Sequence, residues 1–346
     1  MITKNQKEFC IKRKMRFPKI YIIILNYNCW KDTVECVESV LKSRYKNIQV
    51  IVIDNNSPDN SMDYIKKFFD GILETSYLKE LKLPEVSFTY KPKQYVYVEK
   101  EDLNSDYLKK VPITKNKNYP IILIQTGENR GFGAGVNVAL RFLLDKEENA
   151  FVFLLNPDMV LNEDTIEKLV NCSKNNIGVW GINIYDYYNR RRELFKGGFK
   201  VTGYGTVKPV LEFGQRPDFI SGSALFCHLD VFRKVGLFDE RYFLYWEDAD
   251  WCFAARNKGF ELFFCKDAVG FDKGGKSTGR GELTEYFYTV NLFKFYSKYF
   301  PGRKNLMYFF VLLRMIKKFF KGNFRISFAI GKGFWDSLRL KDEKHT

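Results

Sequence analysis

The sequence has no apolar run long enough to cross a bilayer and no cysteine motif of the kind that binds zinc. Spanning a membrane takes about 20 consecutive apolar residues, and no such run occurs although 45% of the 346 residues are hydrophobic. The seven cysteines are scattered and none form CxxC, which predicts reduced thiols rather than a disulfide framework. A hydrophobic signal core is also missing before residue 20, so we expect a cytosolic protein.

Net charge is almost absent from the central part of the chain, although the whole carries +15. Residues 1–19 contribute +6 and residues 300–346 contribute +8, which leaves +1 for the 280 residues between them. Nucleic-acid enzymes more often have a basic cleft in the folded domain, so we expect no nucleic-acid partner. Basic tails rich in aromatic residues indicate an anionic membrane surface instead. We therefore expect a basic tail at 1–18, a folded domain at 19–299 and a basic amphipathic segment at 300–346.

Short apolar runs alternate with segments of helical spacing over the first half of the chain. We predict strands at 19–25, 48–54, 121–125 and 151–155, and helices at 32–43, from Ser57-Pro58 onward, and at about 136–144. This alternation predicts an α/β fold with a mostly parallel sheet covered by helices on both faces. Residues 71–120 interrupt the pattern as an insertion, in which the segments 86–90 and 95–98 are able to form a hairpin. We assign no role to the insertion.

Polar residues follow these predicted strands. They are Asn26, Asp54, Asn129-Arg130-Gly131 and Asp158. Ligands of parallel α/β sheets bind outside the carboxyl ends of the strands. Turn propensity alone explains each of these residues singly, but together they predict a nucleotide site.

An acidic and aromatic run occupies residues 239–255. It has five acids within residues 239–250, interleaved with tyrosine, phenylalanine and tryptophan. Apolar surroundings raise the pKa of a carboxyl group, which is how proteins make a base that works near neutral pH. The alternative is a helix whose acids face solvent and whose aromatic side chains face the core.

Two glycine-rich segments compete as phosphate-binding motifs. GFGAGVN at 131–137 lacks the GxGxxG spacing, although its glycines permit close approach of a ligand at a helix start. GFDKGGKS at 270–277 fits the P-loop pattern letter for letter, but Gly279 and Gly281 interrupt the helix that must follow. We expect a flexible basic loop, from which Lys273, Lys276 and Arg280 remain able to contact phosphates.

The motifs occur in a defined order. NYN at 26–28 is followed by VIDNNSPDNS, ENRGFGAGVN, LLNPD, SGSALF, the acidic and aromatic run, and DAVGFDKGGKST. In content, order and spacing this set resembles glycosyltransferase family 2, and specifically its bacterial rhamnosyltransferase-like branch. The resemblance covers residue 19 to about 335, apart from the insertion. It implies a GT-A fold, which is a Rossmann-like, mostly parallel sheet flanked by helices, and inverting transfer of a sugar from a nucleotide-sugar.

The resemblance also implies roles for particular residues. Asp248 is the expected general base, with Glu247 beside it. The expected nucleotide-binding residues are Asn26, Asp54, Asn129, Arg130, Gly131 and Asn156. The expected acceptor-binding residues are Ser221, Gly222 and Trp246. Asp158 is the expected ligand of Mg²⁺ or Mn²⁺, with Asp272 as a second ligand where the family usually has histidine. The chain has two histidines, of which His228 is expected to be structural and His345 lies in the tail.

We expect an enzyme bound peripherally to the inner face of the plasma membrane that extends a lipid-linked surface glycan. The expected donor is dTDP-rhamnose or a UDP-hexose. The segment from Leu306 to Leu313 is apolar. Four basic residues after it share one helical face, namely Arg314, Lys317, Lys318 and Lys321. This pattern is typical of an interfacial amphipathic helix. The alternatives are a P-loop phosphotransferase that uses residues 270–277 and a non-catalytic membrane-bound scaffold.

Overall fold

The computed structural model describes residues 17–73, 93–99, 102, 121–146, 149–212, 214–274 and 281–339. The strands in these ranges are β1 (Lys19–Asn26), β2 (Ile48–Asp54), β3 (Tyr95–Val98), β4 (Ile121–Gln125), β5 (Ala150–Leu155), β6 (Met159–Leu161), β7 (Gly178–Asp186), β8 (Glu193–Lys196), β9 (Gly198–Val201), β10 (Val207–Pro209), β11 (Phe219–Ile220), β12 (Ala224–His228) and β13 (Glu261–Asp272). The helices are α1 (Trp30–Leu41), α2 (Ser61–Asp70), α3 (Phe132–Lys146), α4 (Thr165–Ser173), α5 (Leu229–Val235), α6 (Glu247–Asn257), α7 (Glu282–Tyr299), α8 (Lys304–Phe320) and α9 (Phe324–Arg339).

Most of the described strands form one mixed sheet in the order β3–β4–β2–β1–β5–β12–β7–β13–β6, with β8 beside β7. The pairs β1–β2, β1–β5, β2–β4, β3–β4 and β7–β13 are parallel. Strand β12 runs antiparallel between β5 and β7, and β6 runs antiparallel to β13. The predicted α/β class with a mostly parallel sheet is confirmed. A smaller sheet has the order β10–β9–β11.

Apolar cores lie on both faces of the large sheet. Successive residues of β1 point to opposite faces, so Ile22 packs in one buried cluster and Ile23 in the other. The first cluster includes residues of α1, α2 and α4, and the second includes residues of α3, α5 and α6. The coverage of both faces explains why the parallel strands are apolar almost throughout.

The register places the ends of several strands side by side. Asn26 pairs with Asp54 across β1 and β2, and Asp54 pairs with Gln125 across β2 and β4. Since β12 is antiparallel to β5, its first residue Ala224 pairs with the last residue of β5, Leu155. The segment before β12 and the carboxyl ends of β1, β2, β4 and β5 therefore meet at one edge of the sheet.

Two predictions about local structure are corrected by the model. The helix expected from Ser57-Pro58 begins at Ser61 instead, because the Ser57 hydroxyl and amide both donate to the Asp54 carboxylate. The helix expected at about 136–144 begins earlier, at Phe132. Within the 71–120 insertion, the strand expected at 95–98 is β3, which pairs in parallel with β4, and its expected hairpin partner at 86–90 lies outside the described residues.

The expectation that all cysteines are reduced thiols is wrong for one pair. Cys172 of α4 and Cys265 of β13 form a disulfide with a Cα–Cα distance of 6.1 Å. The packing of α4 on β13 brings them together across 93 residues of sequence, and no local spacing signals such a pair. The expectation for His228 is supported, since its side chain caps α5 by accepting from the Asp230 amide at 3.1 Å.

The C-terminal segment is helical, as predicted, but its basic residues do not all face solvent. Arg314 donates to Glu285 of α7, and Lys318 lies 3.5 Å from the same carboxylate. The solvent-facing surface is instead apolar. Helices α8 and α9 expose the side chains of Leu306, Phe309, Leu312, Leu313, Ile316, Phe319, Phe320, Phe324, Phe328, Trp335 and Leu338, which we call the apolar hairpin face. Across the described ranges, none of the helices has the length and hydrophobicity to traverse a bilayer.

Candidate functional site

A cavity of about 490 Å³ lies where the strand ends meet the loop that precedes α6. Its lining residues are Leu25, Tyr27, Asn55, Asn129, Gly131, Phe132, Asn156, Pro157, Phe199, Val207, Phe219, Ser221, Gly222, Ser223, Phe243, Leu244, Tyr245, Trp246, Glu247, Asp248, Ala249, Leu283 and Tyr288. A pocket of this volume, lined by both polar and apolar side chains, can hold a small ligand that has polar and apolar parts. Eight of the thirteen predicted site residues line it, and the other five, which are Asn26, Asp54, Arg130, Asp158 and Asp272, do not.

Asp54 is fully buried and its carboxylate binds the protein itself. It accepts from Asn26 Nδ2 at 2.5 Å, from Ser57 Oγ at 2.6 Å and from Gln125 Nε2 at 2.9 Å. Neither Asp54 nor Asn26 is part of the cavity wall, whereas the next residue, Asn55, is. In this conformation the predicted pair supports the strand ends, and the base-reading role of Asp54 stays a prediction.

The loop at 129–131 joins the strand ends on one side of the cavity to the acidic and aromatic run on the other. Asn129 Oδ1 accepts from Asn55 Nδ2 at 2.9 Å and from the Gly131 amide at 3.0 Å. Gly131 has φ +91°, and a Cβ there would lie 2.1 Å from the carbonyl oxygen of Phe243. The close approach that requires glycine is thus to the chain itself. Phe132 extends the same junction, because its amide donates to Phe243 O at 3.0 Å.

Arg130 points away from the cavity. Its side chain is 56% exposed, and its guanidinium lies 3.1 Å from the carboxylate of Glu240. Glu240 also accepts from Arg141 and from Asn137 Nδ2, and these partners outweigh burial and lower its pKa. The structure therefore places Arg130 in an ion-pair cluster beside the site, and a contact with the nucleotide would require its side chain to turn.

Asp158 and Asp272 form a pair of acids next to the cavity. Asp272 is opposite Met159 in the β13–β6 ladder, one residue from Asp158. Asp158 is 3% exposed, and its Oδ1 has no hydrogen-bond partner among the described residues. Burial, followed by the charge of Asp272, raises the pKa of Asp158 to about 7. Asp272 Oδ1 accepts from the Gly274 amide at 2.6 Å, yet burial raises its pKa as well.

The pKa of Asp158 predicts a pH effect on the metal-free protein. Folding raises the pKa of Asp158 from 3.8 to about 7. Between these two values the native state holds a proton that the unfolded state has lost, so the stability of the fold decreases as the pH rises towards 7. Asparagine does not titrate, so in EDTA the advantage of Asp158→Asn over the wild type in free energy of unfolding should be roughly 1 to 3 kcal/mol larger at pH 8 than at pH 5. Urea unfolding at both pH values measures this, and a difference independent of pH would contradict it.

Glu247 and Asp248 open helix α6 on the other side of the cavity. Asp248 Oδ2 accepts from the Gly222 amide at 3.0 Å, and its Oδ1 accepts from the Ala249 amide at 2.8 Å. Burial raises the pKa of both acids, and the charge of Asp248 adds to the rise at Glu247. Glu247 Oε2 is buried with no hydrogen-bond partner among the described residues. A buried carboxyl pair with raised pKa values and an oxygen without a partner is suited to bind the hydroxyl group of a ligand.

The acceptor-side predictions also meet at this pair. Ser221 and Gly222 line the cavity, and the Ser221 hydroxyl lies 2.9 Å from that of Ser223. Trp246 is almost fully buried and also lines the cavity. Sequence reasoning missed the apolar wall formed by Phe199, Phe219, Leu283 and Tyr288. These residues come from the small sheet and from α7, where no motif identifies them.

The P-loop interpretation of residues 270–277 finds no support in the structure. Gly270 lies within β13, and the next helix of the described ranges, α7, begins at Glu282. Lys273 is buried and donates to Asp32 at 2.6 Å and to Glu35, so two carboxylates already hold its ammonium group. Lys276 and Arg280 lie outside the described residues.

The comparisons with known proteins agree with this geometry. Residues 21–81, which carry β1, α1, β2 and α2, match the family described as Glycosyl transferase family 2. Two curated relatives extend the similarity to sugar transferases beyond that segment. Over residues 21–81 the chain is therefore similar to glycosyltransferase family 2, as the resemblance of the motifs predicted.

One relative is the low-salt glycan biosynthesis hexosyltransferase Agl10 of Haloferax volcanii, 26% identical over 42% of this chain and 50% of that protein. Another is the N-acetylglucosaminyl-diphospho-decaprenol L-rhamnosyltransferase of Mycobacterium tuberculosis, 29% identical over 47% of this chain and 62% of that protein. This second similarity supports the rhamnosyltransferase-like branch. The matches span between half and two thirds of the length of these relatives.

A solved structure with a similar fold is that of GalNAc-T7 with UDP, GalNAc and Mn²⁺. It aligns with a TM-score of 0.53 and 13% identity, covering 87% of this chain and 51% of that chain. At this identity the likeness concerns the fold alone. It confirms the predicted GT-A architecture.

Proposed function

We propose that the chain is an inverting glycosyltransferase that moves a sugar from a nucleotide-sugar to a hydroxyl of a lipid-linked glycan acceptor. The observation that carries the proposal is the composition of the cavity wall. Asn55, Asn129 and Asn156 lie at the strand ends on one side, and Glu247 and Asp248 lie at the start of α6 on the other. A donor and an acceptor bound on these two sides would meet between them.

Asp248 is the residue proposed to take the proton of the acceptor hydroxyl. Inversion requires a single displacement, so one base and one activated leaving group are sufficient. The Gly222 amide holds Asp248 Oδ2, and burial raises its pKa, which strengthens it as a base. Burial, followed by the charge of Asp248, also raises the pKa of Glu247, and in its protonated form Glu247 would donate a hydrogen bond to the acceptor.

Asp158 and Asp272 fit a divalent cation. The orphaned Oδ1 of Asp158 and the repulsion between the two carboxylates are both relieved by a bound cation. No group of three His, Cys, Asp or Glu side chains suited to a metal occurs in the described part of the chain, so phosphate and water oxygens would complete the ligand set. Oxygen ligands suit Mg²⁺ or Mn²⁺. When bound, the ion neutralises charge on the nucleoside diphosphate leaving group.

The donor and acceptor classes rest on similarity. The mycobacterial relative is named for transfer of L-rhamnose to a decaprenyl-linked sugar, and the haloarchaeal one for transfer of a hexose. We therefore propose dTDP-rhamnose as the donor and a UDP-hexose as the second candidate. The apolar wall of Phe199, Phe219 and Leu283 is suited to an acceptor that carries an apolar group.

A thermal-shift panel tests donor binding. We expect dTDP-rhamnose or a UDP-hexose to raise the melting temperature in the presence of Mn²⁺ and to raise it much less in EDTA, because a ligand that binds only the native state stabilises it. Asp158→Asn should lose the metal-dependent part of the shift. A panel in which ATP alone stabilises the protein would contradict the proposal and favour a phosphotransferase.

A second part of the proposal is peripheral attachment to the inner face of the plasma membrane through the apolar hairpin face. Its side chains are 40–82% exposed, which is far more apolar surface than a solvated helix pair needs. Lys317, Lys321 and Arg325 are exposed beside it, and each basic residue near an anionic leaflet contributes about 1 kcal/mol. The charge and the apolar surface together match an anionic bilayer rather than an acidic protein.

The hairpin also lies near the mouth of the cavity. Arg325 at the start of α9 lies 4.0 Å from Glu282, the first residue of α7. The next residue, Leu283, is exposed and lines the cavity. Membrane attachment at the hairpin would thus bring the cavity mouth towards the bilayer, where a lipid-linked acceptor is found.

Substitution of exposed aromatic residues tests this attachment. Deleting the segment would uncover Met307, Val311 and Ile330, which are buried, so we choose the triple variant of Phe320, Phe324 and Phe328, each changed to Ser. It should lower co-sedimentation with vesicles containing anionic lipid at least tenfold.

The matched control changes exposed apolar residues elsewhere, namely Ile72, Tyr188 and Leu211, to Ser, and should bind like the wild type. Equal binding by both triple variants, or equal binding to neutral and anionic vesicles at low salt, would contradict membrane attachment. Concentration-dependent dimerisation that only the hairpin variant loses would assign the face to a second copy of the chain.

A further inference from the structure

The turn that precedes α6 has an unusual backbone. Tyr245 has φ 66° and Trp246 has φ 74°, and both are in the left-handed region that bulky side chains seldom occupy. Such conformations persist only where the surroundings hold them, and they cluster at functional sites. Glu247 and Asp248 follow directly, so the turn determines where the first turn of α6 points.

Two contacts hold this turn from opposite sides. On the nucleotide side, the Phe132 amide donates to Phe243 O at 3.0 Å. On the other side, Asn291 of α7 donates from Nδ2 to Leu244 O at 2.9 Å and to Tyr245 O at 3.2 Å. The left-handed conformation makes these consecutive carbonyl groups converge on one amide, which a regular strand or helix would not do.

Asn291 is 1% exposed and lies on α7 between Tyr288 and Phe295, whose rings pack against Trp246. The Trp246 ring lies 4.9 Å from Phe295 and 5.4 Å from Tyr288, measured between ring centroids. Because Asn291 is closed to solvent, water cannot easily replace its amide, and loss of the donor would remove both of these hydrogen bonds from the turn. The aromatic contacts restrain the side chain of Trp246, whereas Asn291 restrains the backbone.

We propose that Asn291 is a positioning residue that holds the 244–246 turn and thereby aims Glu247 and Asp248 at the acceptor hydroxyl. This inference rests on the proposed glycosyl transfer. Asn291 lies outside the acidic and aromatic run, 43 residues after Asp248 in the sequence, and does not line the cavity. Its effect on the reaction would act through the backbone rather than by contact with substrate.

Asn291→Leu tests the proposal because leucine keeps the branched shape and removes the donor. Hydrogen exchange of the peptide covering residues 243–251 should become at least tenfold faster than in the wild type. The turnover number kcat should fall roughly 10- to 100-fold, since small displacements of a catalytic group have effects of this size. The dissociation constant of the nucleotide-sugar should stay within about twofold.

Val290→Ala is the matched control, since Val290 is buried on the same helix and makes no bond to the turn. It should lower stability without faster exchange at 243–251 and without a change in kcat.

If Asn291→Leu does not fold, Asn291→Ala replaces it, because it removes the same donor with less crowding. Equal exchange at the turn in the Asn291 variant and the control, or an unchanged kcat, would overturn the proposal. If the wild type transfers no sugar, the exchange data still decide whether Asn291 holds the turn, and it is the glycosyl-transfer proposal that fails.

Discussion

Replacing Asp248 by asparagine is expected to lower the turnover of sugar transfer roughly 10²- to 10⁴-fold. Asparagine keeps the shape of the side chain but cannot accept the proton of the acceptor hydroxyl. Donor binding should be unchanged, because Asp248 lies on the side of the cavity away from the asparagines at the strand ends. Steady-state kinetics with saturating donor, together with the donor dissociation constant, provide the measurement.

Asp250→Asn is the matched control for Asp248→Asn. Asp250 is a buried acid on the same helix, but its oxygens bind Lys298 Nζ, each at 2.9 Å. Its loss should cost stability by leaving the ammonium group of Lys298 without its partner, while kcat stays within a few-fold. Near-normal transfer by Asp248→Asn would remove Asp248 from the role of base. Equal losses of kcat in both variants would indicate a general effect on helix α6.

The second large effect is expected at Asp158. Asp158→Asn should lower turnover roughly 10²- to 10³-fold, because charge on the leaving nucleoside diphosphate would no longer be neutralised. Excess EDTA should reduce the wild type to a similar level, and added Mn²⁺ should restore only the wild type. Activity that persists undiminished in EDTA would contradict the metal assignment.

Asp272→His examines the second proposed ligand. Histidine binds the same first-row metals, so metal-dependent transfer should be kept or improved if Asp272 has taken the place of the usual histidine. Asp164→Asn is a suitable comparison, since Asp164 is a partly buried acid that pairs with Lys168 at 2.8 Å. A folded but inactive Asp272→His protein would argue that the two residues are not equivalent here.

The sheet could be predicted from the sequence because burial on both faces leaves an unmistakable pattern. The bounds of β1 and β2 agree to within one residue with the strands predicted from the apolar runs at 19–25 and 48–54. The edge strand β6 was not predicted, because it has only three residues, and the antiparallel position of β12 between β5 and β7 depends on tertiary packing. Short strands carry too few residues to show a period.

The position of the candidate site was predictable, but the direction of individual side chains was not. Asp248 and Gly222 lie together as the motifs implied, because both belong to segments fixed by backbone hydrogen bonds. Asp54 and Arg130 instead found partners within the protein, in Ser57 and Glu240. A motif specifies which residue stands at a strand end, whereas local hydrogen bonds decide whether its side chain faces the cavity.

The C-terminal segment shows a different limit of sequence reasoning. Helical spacing correctly placed Arg314 and Lys318 on one face, but it did not reveal that this face packs against Glu285 of α7. The acid lies about 30 residues earlier and belongs to a helix that no motif identified. The apolar side chains therefore face outward, which strengthens the proposal of membrane attachment and changes which residues should mediate it.

The central claim is inverting transfer of a sugar to an acceptor hydroxyl, and the anomeric configuration of the product tests it most directly. The measurement is proton NMR of the glycan formed from a lipid-linked acceptor, Mn²⁺ and the nucleotide-sugar that gives the largest thermal shift. The proposed single displacement predicts one new glycosidic bond whose anomeric configuration is opposite to that of the donor, formed roughly 10²- to 10⁴-fold more slowly with Asp248→Asn. A product that retains the donor configuration, or sugar transfer that is equally fast with Asp248→Asn, would contradict it.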